Sequence, residues 1–279
     1  MTDDRSPAQA EAGPEEPDDT AGTGIDTTVP HSARIWNYWL GGKDNFAADR
    51  LAGDQYVKTY PGIVDIARAG RAFIARAVRY MALEEGIRQF LDVGTGLPTA
   101  DNTHEIAQRA APESRIVYVD NDPLVLAHAR ALLTSTPQGA CDYVDADMHD
   151  PAAILARAAA TLDFGQPVAL MLISVMGHIS DDDEAQSIVH RLVAGLSSGS
   201  FLAMCDGMDS VPPELSEAQQ DYDDTGAIPY KLRYSDQAAQ FFDGLEFVEP
   251  GMVRIAQWRL DAGPLDPDPP TLAGVARKP

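Results

Sequence analysis

The stretch Phe90-Leu91-Asp92-Val93-Gly94-Thr95-Gly96 constrains this chain more than any other: an apolar run breaks into Gly-x-Gly and then into helix-forming residues. A short apolar run bounded by glycines reads as a strand buried in a parallel sheet. Glycine removes the Cβ and opens positive φ, so a ligand can lie against the strand's carboxyl end at Gly94 and Gly96. Asn102 and Glu105 have the spacing of a capping box, which predicts a helix from Thr103. A dinucleotide cradle would want a third glycine where this chain has Pro98-Thr99, which weighs against a bound pyrophosphate.

Two more acidic strand tips follow. Arg115 to Val119 is a β-branched and aromatic run ending in Asp120, and Asp122-Pro123 then opens a helix. An acid at the tip of the second strand, behind a glycine turn, is placed to accept from two ribose hydroxyls. Tyr143-Val144 reads as a short third strand leading to Asp147-Met148, where a carboxylate can accept from an exocyclic amine while a thioether packs on a purine. Asp150-Pro151 starts the next helix and leaves Asp147 free for that work. A nicotinamide enzyme has no need of this third element.

Strands and helices alternate through the chain, as in an α/β, Rossmann-like, doubly wound and mostly parallel sheet. Val168 to Ile173 is the fourth strand. Ser180 with Asp183 caps the next helix, and Phe201 to Cys205 is the fifth strand, ending at Asp206. Leu245 to Val248 and Met252 to Trp258, split by Pro250-Gly251, read as a C-terminal antiparallel hairpin that completes a seven-stranded sheet. Residues 1–30 carry almost no large apolar side chains and are expected to stay disordered. Residues 31–85 form an N-terminal helical extension, 86–260 the ligand-binding domain, and 261–279 a Pro-rich tail.

The glycine turn and the two acids resemble those of the class I S-adenosylmethionine-dependent methyltransferases. A closer likeness is to an actinobacterial S-adenosyl methyltransferase family of undefined substrate, carried by Ala33-Arg34-Ile35-Trp36-Asn37-Tyr38-Trp39-Leu40-Gly41-Gly42-Lys43-Asp44-Asn45-Phe46, by Gln89 to Pro98, and by Phe241 to Leu245 with Pro250-Gly251. The resemblance implies S-adenosyl-L-methionine as cofactor. It puts Asp92, Gly94 and Gly96 at the methionine part, Asp120 at the ribose, and Asp147 with Met148 at the adenine; Thr95 and Asn121 beside them belong to the cofactor set. Ser174, at the end of the fourth strand, joins the cofactor set. Arg71 or Arg76, on a basic helix from Asp65 to Met81, is the candidate partner of the methionine carboxylate.

The acceptor side is read from single residues. His178 follows the fourth strand, where loops line the crevice, and is the candidate general base; a cap of the next helix is the alternative. Tyr38, Lys43 and Asn45, beside Trp36, Trp39 and Gly41-Gly42, either form a lid or staple the extension down. His104, Tyr230 and Arg233 are further acceptor-side candidates.

Net charge is −22, from 21 Lys+Arg against 43 Asp+Glu, so the surface repels phosphate backbones and anionic membranes. That points to a small-molecule acceptor, and no Asn-Pro-Pro-Tyr-like segment follows the fourth strand. The six histidines form no metal-ligand pattern. Cys141 and Cys205 lack CxxC spacing and read as reduced thiols of a cytoplasmic protein, whose oligomeric state the sequence leaves open. The rival readings are a non-enzymatic S-adenosylmethionine sensor and an NAD-dependent oxidoreductase, which would leave Asp147-Met148 without a purpose.

Overall fold

A computed structural model describes residues 26–99, 101–132, 134–260 and 268–279. Most of the segment expected to be disordered, and the first part of the C-terminal tail, lie outside the described residues.

Three helices come first: α1 (Ser32–Trp39), α2 (Ala47–Thr59) and α3 (Ile63–Leu83). Strand and helix then alternate through β1 (Gln89–Val93), α4 (Thr103–Ala110), β2 (Arg115–Asp120), α5 (Pro123–Leu132), β3 (Ala140–Asp145), α6 (Pro151–Ala158), β4 (Ala169–Ile173), α7 (Asp182–Ala194) and β5 (Phe201–Met208). The chain continues through α8 (Pro213–Asp223), α9 (Ser235–Gln240), β6 (Glu246–Phe247), β7 (Val253–Arg254) and β8 (Thr271–Arg277).

Local chemistry sets the helix starts. The Asn102 N–H donates to Glu105 Oε2 at 2.7 Å, Asp122 Oδ1 accepts from Leu124 N at 2.8 Å, and Asp150 Oδ1 accepts from Ala153 N at 3.0 Å. Each satisfies a donor that the first helical turn leaves open. At α7 the cap is Asp181, accepting from Glu184 N at 2.9 Å, one residue later than the expected Ser180 and Asp183 pair.

The strands among the described residues form one sheet in the order β3-β2-β1-β4-β5-β8-β6, with β7 also on β8; β1 to β5 are parallel and β8 runs antiparallel to β5, β6 and β7. The class is the expected one, with eight strands rather than seven. Successive residues of a strand face opposite sides, so Leu91 packs with Leu170, Leu202, Ile188 and Phe241 under α6, α7 and α9, while Phe90 packs with Phe73, Met81, Met171 and Trp258 under α3. A third cluster, including Ile35, Trp39, Tyr56, Ile66, Leu215 and Tyr222, joins α1, α2, α3 and α8.

The closing strands differ from expectation. The turn at Pro250-Gly251 exists, its Gly251 N–H donating to Val248 O at 2.7 Å, but the segments on either side do not pair with each other. Both pair with β8, which comes from the supposed tail and is buried from Thr271 to Ala276. β8 takes the edge of β5 because Leu272, Val275 and Ala276 are buried there. β6 and β7 are left with two residues each.

Candidate functional site

Strand order reverses between β1 and β4, and beyond the carboxyl ends of these strands lies a cavity of about 260 Å³. Its walls include Asp92, Gly94, Thr95 and Gly96 after β1, Asp120 and Asn121 after β2, Asp147 and Met148 after β3, and Ser174 and His178 after β4. Ser32, Trp36 and Asn37 of α1 and Gly70, Arg71 and Ile74 of α3 close it from the other side.

At Gly94 the glycine turn leaves no room for a side chain. Gly94 has φ of +73°, and a Cβ there would meet Val175 Cγ2 at 2.1 Å. Gly96 has φ of +65°, and its N–H donates to Asp120 Oδ2 at 2.8 Å. Asp120 Oδ1 accepts from the N–H groups of Asn121 and Asp122 at 2.9 and 3.0 Å. Burial pushes this carboxyl above its usual range, opposed by those N–H groups. The turn and the second strand tip are thus one hydrogen-bonded unit.

Asp92 is buried, with Oδ2 accepting from Thr103 Oγ1 at 2.6 Å, and burial raises it to about 6. Arg71 stands half-buried on the same wall, its Nη2 donating to Asp101 O at 2.9 Å; burial lowers it and Asp92 opposes the shift. Asp147 is exposed and accepts from the N–H of His149 at 2.9 Å, which with the His149 ring at 2.6 Å holds its carboxyl below the usual range. Ser174 sits at φ of +54°, with its N–H donating to Cys205 O at 2.7 Å.

His178 closes a 3-10 turn, Met176–His178. Its Nδ1 lies 3.2 Å from the carbonyl of Pro229, which can only accept, so Nδ1 carries the proton and Nε2 the lone pair. Burial lowers its pKa, which favours the neutral ring. It does not cap α7, whose cap is Asp181. Tyr230 stands edge-on to it at 5.0 Å and donates its hydroxyl to Asp206 Oδ1 at 3.1 Å. Asp206 Oδ2 accepts from the N–H groups of Met176 and Gly177 at 2.6 and 3.2 Å, and burial raises this acid to about 6. Tyr230 and Asp206 thereby hold the turn that carries His178.

Other candidates lie elsewhere. Arg76 donates to Trp258 O and Ile255 O at 2.8 and 2.7 Å, on the far side of α3 from the cavity. Arg233 is 1% exposed and donates to Asp182 Oδ1, Met176 O and Ile179 O, so it braces the His178 turn from behind. His104 is buried against Tyr118, its ring Nδ1 at 2.8 Å from that hydroxyl. Tyr38 donates to Asp54 at 2.7 Å and Lys43 is exposed; neither lines the cavity. Asn45 donates to Asn37 Oδ1 and Gly42 O, pinning the turn between α1 and α2. The chain leaves the cavity after Leu40 through Gly41, at φ of +80°, which carries residues 43 to 45 away.

Sequence reasoning passed over His31 and Ser32 at the start of α1, and Gly70 and Ile74 of α3. Asp49 signals the anchor of α1: its Oδ1 accepts from His31 N at 2.9 Å and its Oδ2 from Phe46 N at 2.8 Å. His31 Nδ1 also lies 3.1 Å from Asp122 Oδ2, tying α1 to the start of α5.

A family model described as S-adenosyl methyltransferase matches residues 18–279. Two solved structures are similar over most of their length. A DUF574 family protein from Streptomyces avermitilis is 48% identical, with 91% of this chain and 99% of that one covered and a TM-score of 0.87. A proposed methyltransferase from Thermobifida fusca is 38% identical, with 91% and 97% covered and a TM-score of 0.83. No curated protein matches the chain. The chain belongs to the S-adenosyl methyltransferase family and is an S-adenosylmethionine-dependent methyltransferase.

Proposed function

We propose that the cavity takes the cofactor across the strand tips and that methyl transfer goes to a small molecule. The observation that carries the reading is that Gly94, Asp120 and Asp147, from three different strands, line one cavity. Asp120 keeps an acceptor site on Oδ2 for a ribose hydroxyl, and Asp147 Oδ2 is open to the adenine amine, with Met148 against the ring. Gly94 and Gly96 leave the backbone bare beneath the methionine part, with Arg71 placed for its carboxylate and Asp92 for its amine. When bound, the cofactor supplies a methyl group on an activated sulfonium leaving group. The chain's own work is to hold the acceptor in line, exclude water and, through His178 Nε2, take up a proton.

The net charge of −22 supports a small acceptor over nucleic acid, and no described helix is long and apolar enough to cross a membrane. Two free thiols support a reducing, cytoplasmic setting. Titration calorimetry of Asp120→Asn with S-adenosylhomocysteine tests the assignment. Hydrogen bonds to a charged group are worth about 1.5–3 kcal/mol, so affinity should fall by about tenfold or more in a variant that circular dichroism shows to be folded. Unchanged affinity would put the ribose elsewhere.

A further inference from the structure

The wall of the cavity beyond β3 turns through Asp147, Met148 and His149, and its backbone is held from several sides. Asp150 N donates to Asp147 O at 3.0 Å and closes the turn, and Ala146 N donates to Asp120 O at 3.2 Å and ties it to the second strand tip. Asp150 then caps α6. The backbone alone does not fix the Asp147 carboxyl, which is 56% exposed and has several staggered rotamers to choose from.

Two hydrogen bonds make the choice. The His149 N–H and the His149 ring both donate to one oxygen, Asp147 Oδ1, at 2.9 and 2.6 Å. The first is an Asx turn, which any residue at 149 except proline would give. The second belongs to histidine, and His149 itself lines the cavity. We propose that His149 is a positioning residue for the base of the cofactor: its ring turns Asp147 so that Oδ2 meets the adenine amine, and the pair makes the site selective for a 6-amino purine. The proposal rests on the adenine reading above and adds the residue that enforces it.

The chemistry fixes which partner gives and which takes. The backbone N–H of His149, and then its ring, hold the Asp147 carboxyl below the usual range, so it stays ionised and can only accept. The ring nitrogen facing it, Nδ1, therefore carries the proton. With both donors on Oδ1, Oδ2 is left without a protein donor among the described residues. An exocyclic amine donates to that oxygen. A 6-oxo purine would instead bring a carbonyl oxygen against it, and two acceptors would face each other unpaired.

Burial decides where the effect appears. An ion pair with both partners about half exposed adds little to folding, so the ring's contribution is expected in base selectivity and not in stability. Without the ring, the carboxyl keeps the Asx turn but is free to swing Oδ2 toward water.

Titration calorimetry on the full chain tests this with S-adenosylhomocysteine and S-inosylhomocysteine, in which a carbonyl oxygen replaces the amine. The unaltered protein should bind the adenine form about tenfold or more tightly. His149→Phe keeps a ring but no donor, and the preference should shrink by about threefold or more; His149→Asn puts an amide donor where Nδ1 stands and should restore it. Should circular dichroism show His149→Phe unfolded, His149→Ala, which also lacks the donor, takes its place. Failure of S-adenosylhomocysteine to bind would overturn the cofactor reading and this one together. Equal binding of both ligands by the unaltered protein would overturn the placement of adenine at Asp147, and the role of His149 with it. With the preference present, its survival in the folded donor-free variant, or its loss in His149→Asn as well, would overturn the role of His149 alone.

Discussion

Asp206 is buried yet ionisable, and its hydrogen bonds to Met176 N, Gly177 N and Tyr230 hold the turn that presents His178. Burial raises it from an ordinary 3.8 to about 6, so the folded state holds the proton more tightly than the unfolded state. The associated stability is present in full below pH 3.8 and is lost as pH rises to about 6. Asp206→Asn, which keeps an acceptor for the turn, should remove that slope, on the order of 2–3 kcal/mol across the window, from denaturant melts at several pH values. At Gly94, alanine would require positive φ and would drive its Cβ into Val175. Gly94→Ala should destabilise by about 1–3 kcal/mol, and Gly94→Ala with Val175→Ala should recover part of the loss in the same melts. Residue types were legible in the sequence where chemistry meets a strand tip, since a tip has one direction to face. Arg233, His104 and Asn45 stand apart from the cavity because a polar side chain in a loop or first helical turn can turn inward to a protein partner, here Met176 O, the Tyr118 hydroxyl and Asn37 Oδ1, as readily as outward.

The elements around the cavity were legible from apolar runs and caps, β1, β2 and β4 within a residue or two. The closing edge was not. Thr271-Leu272-Ala273-Gly274-Val275-Ala276 has few bulky β-formers and follows four prolines, so local propensity argues for a tail. Only the vacant edge of β5 and two short partners make it a strand, and those are long-range facts. Placing a charge there, as in Val275→Asp, should abolish the cooperative transition seen by circular dichroism, because a buried unpaired carboxylate has nothing to compensate it. Trp258 packs edge-on to Phe73 and Tyr80 beneath α3. Trp258→Ala should cost about 3–5 kcal/mol in denaturant unfolding, the usual range for an aromatic removed from a core.

Across the whole molecule, a ligand that binds only the folded chain stabilises it by mass action. S-adenosylhomocysteine at a hundred times its dissociation constant should add about 2.7 kcal/mol, visible as a rise in melting temperature, and NAD at the same concentration should add none. The excess of 43 acidic over 21 basic residues predicts no binding of duplex DNA at low ionic strength, measurable by fluorescence anisotropy. Of the three tryptophans, Trp258 is sealed in the core and Trp39 packs edge-on to Tyr56, while Trp36 borders the cavity. An indole standing at the wall of that cavity is an intrinsic gauge of occupancy: arrival of S-adenosylhomocysteine should change the light this ring emits, so loading can be followed without a label.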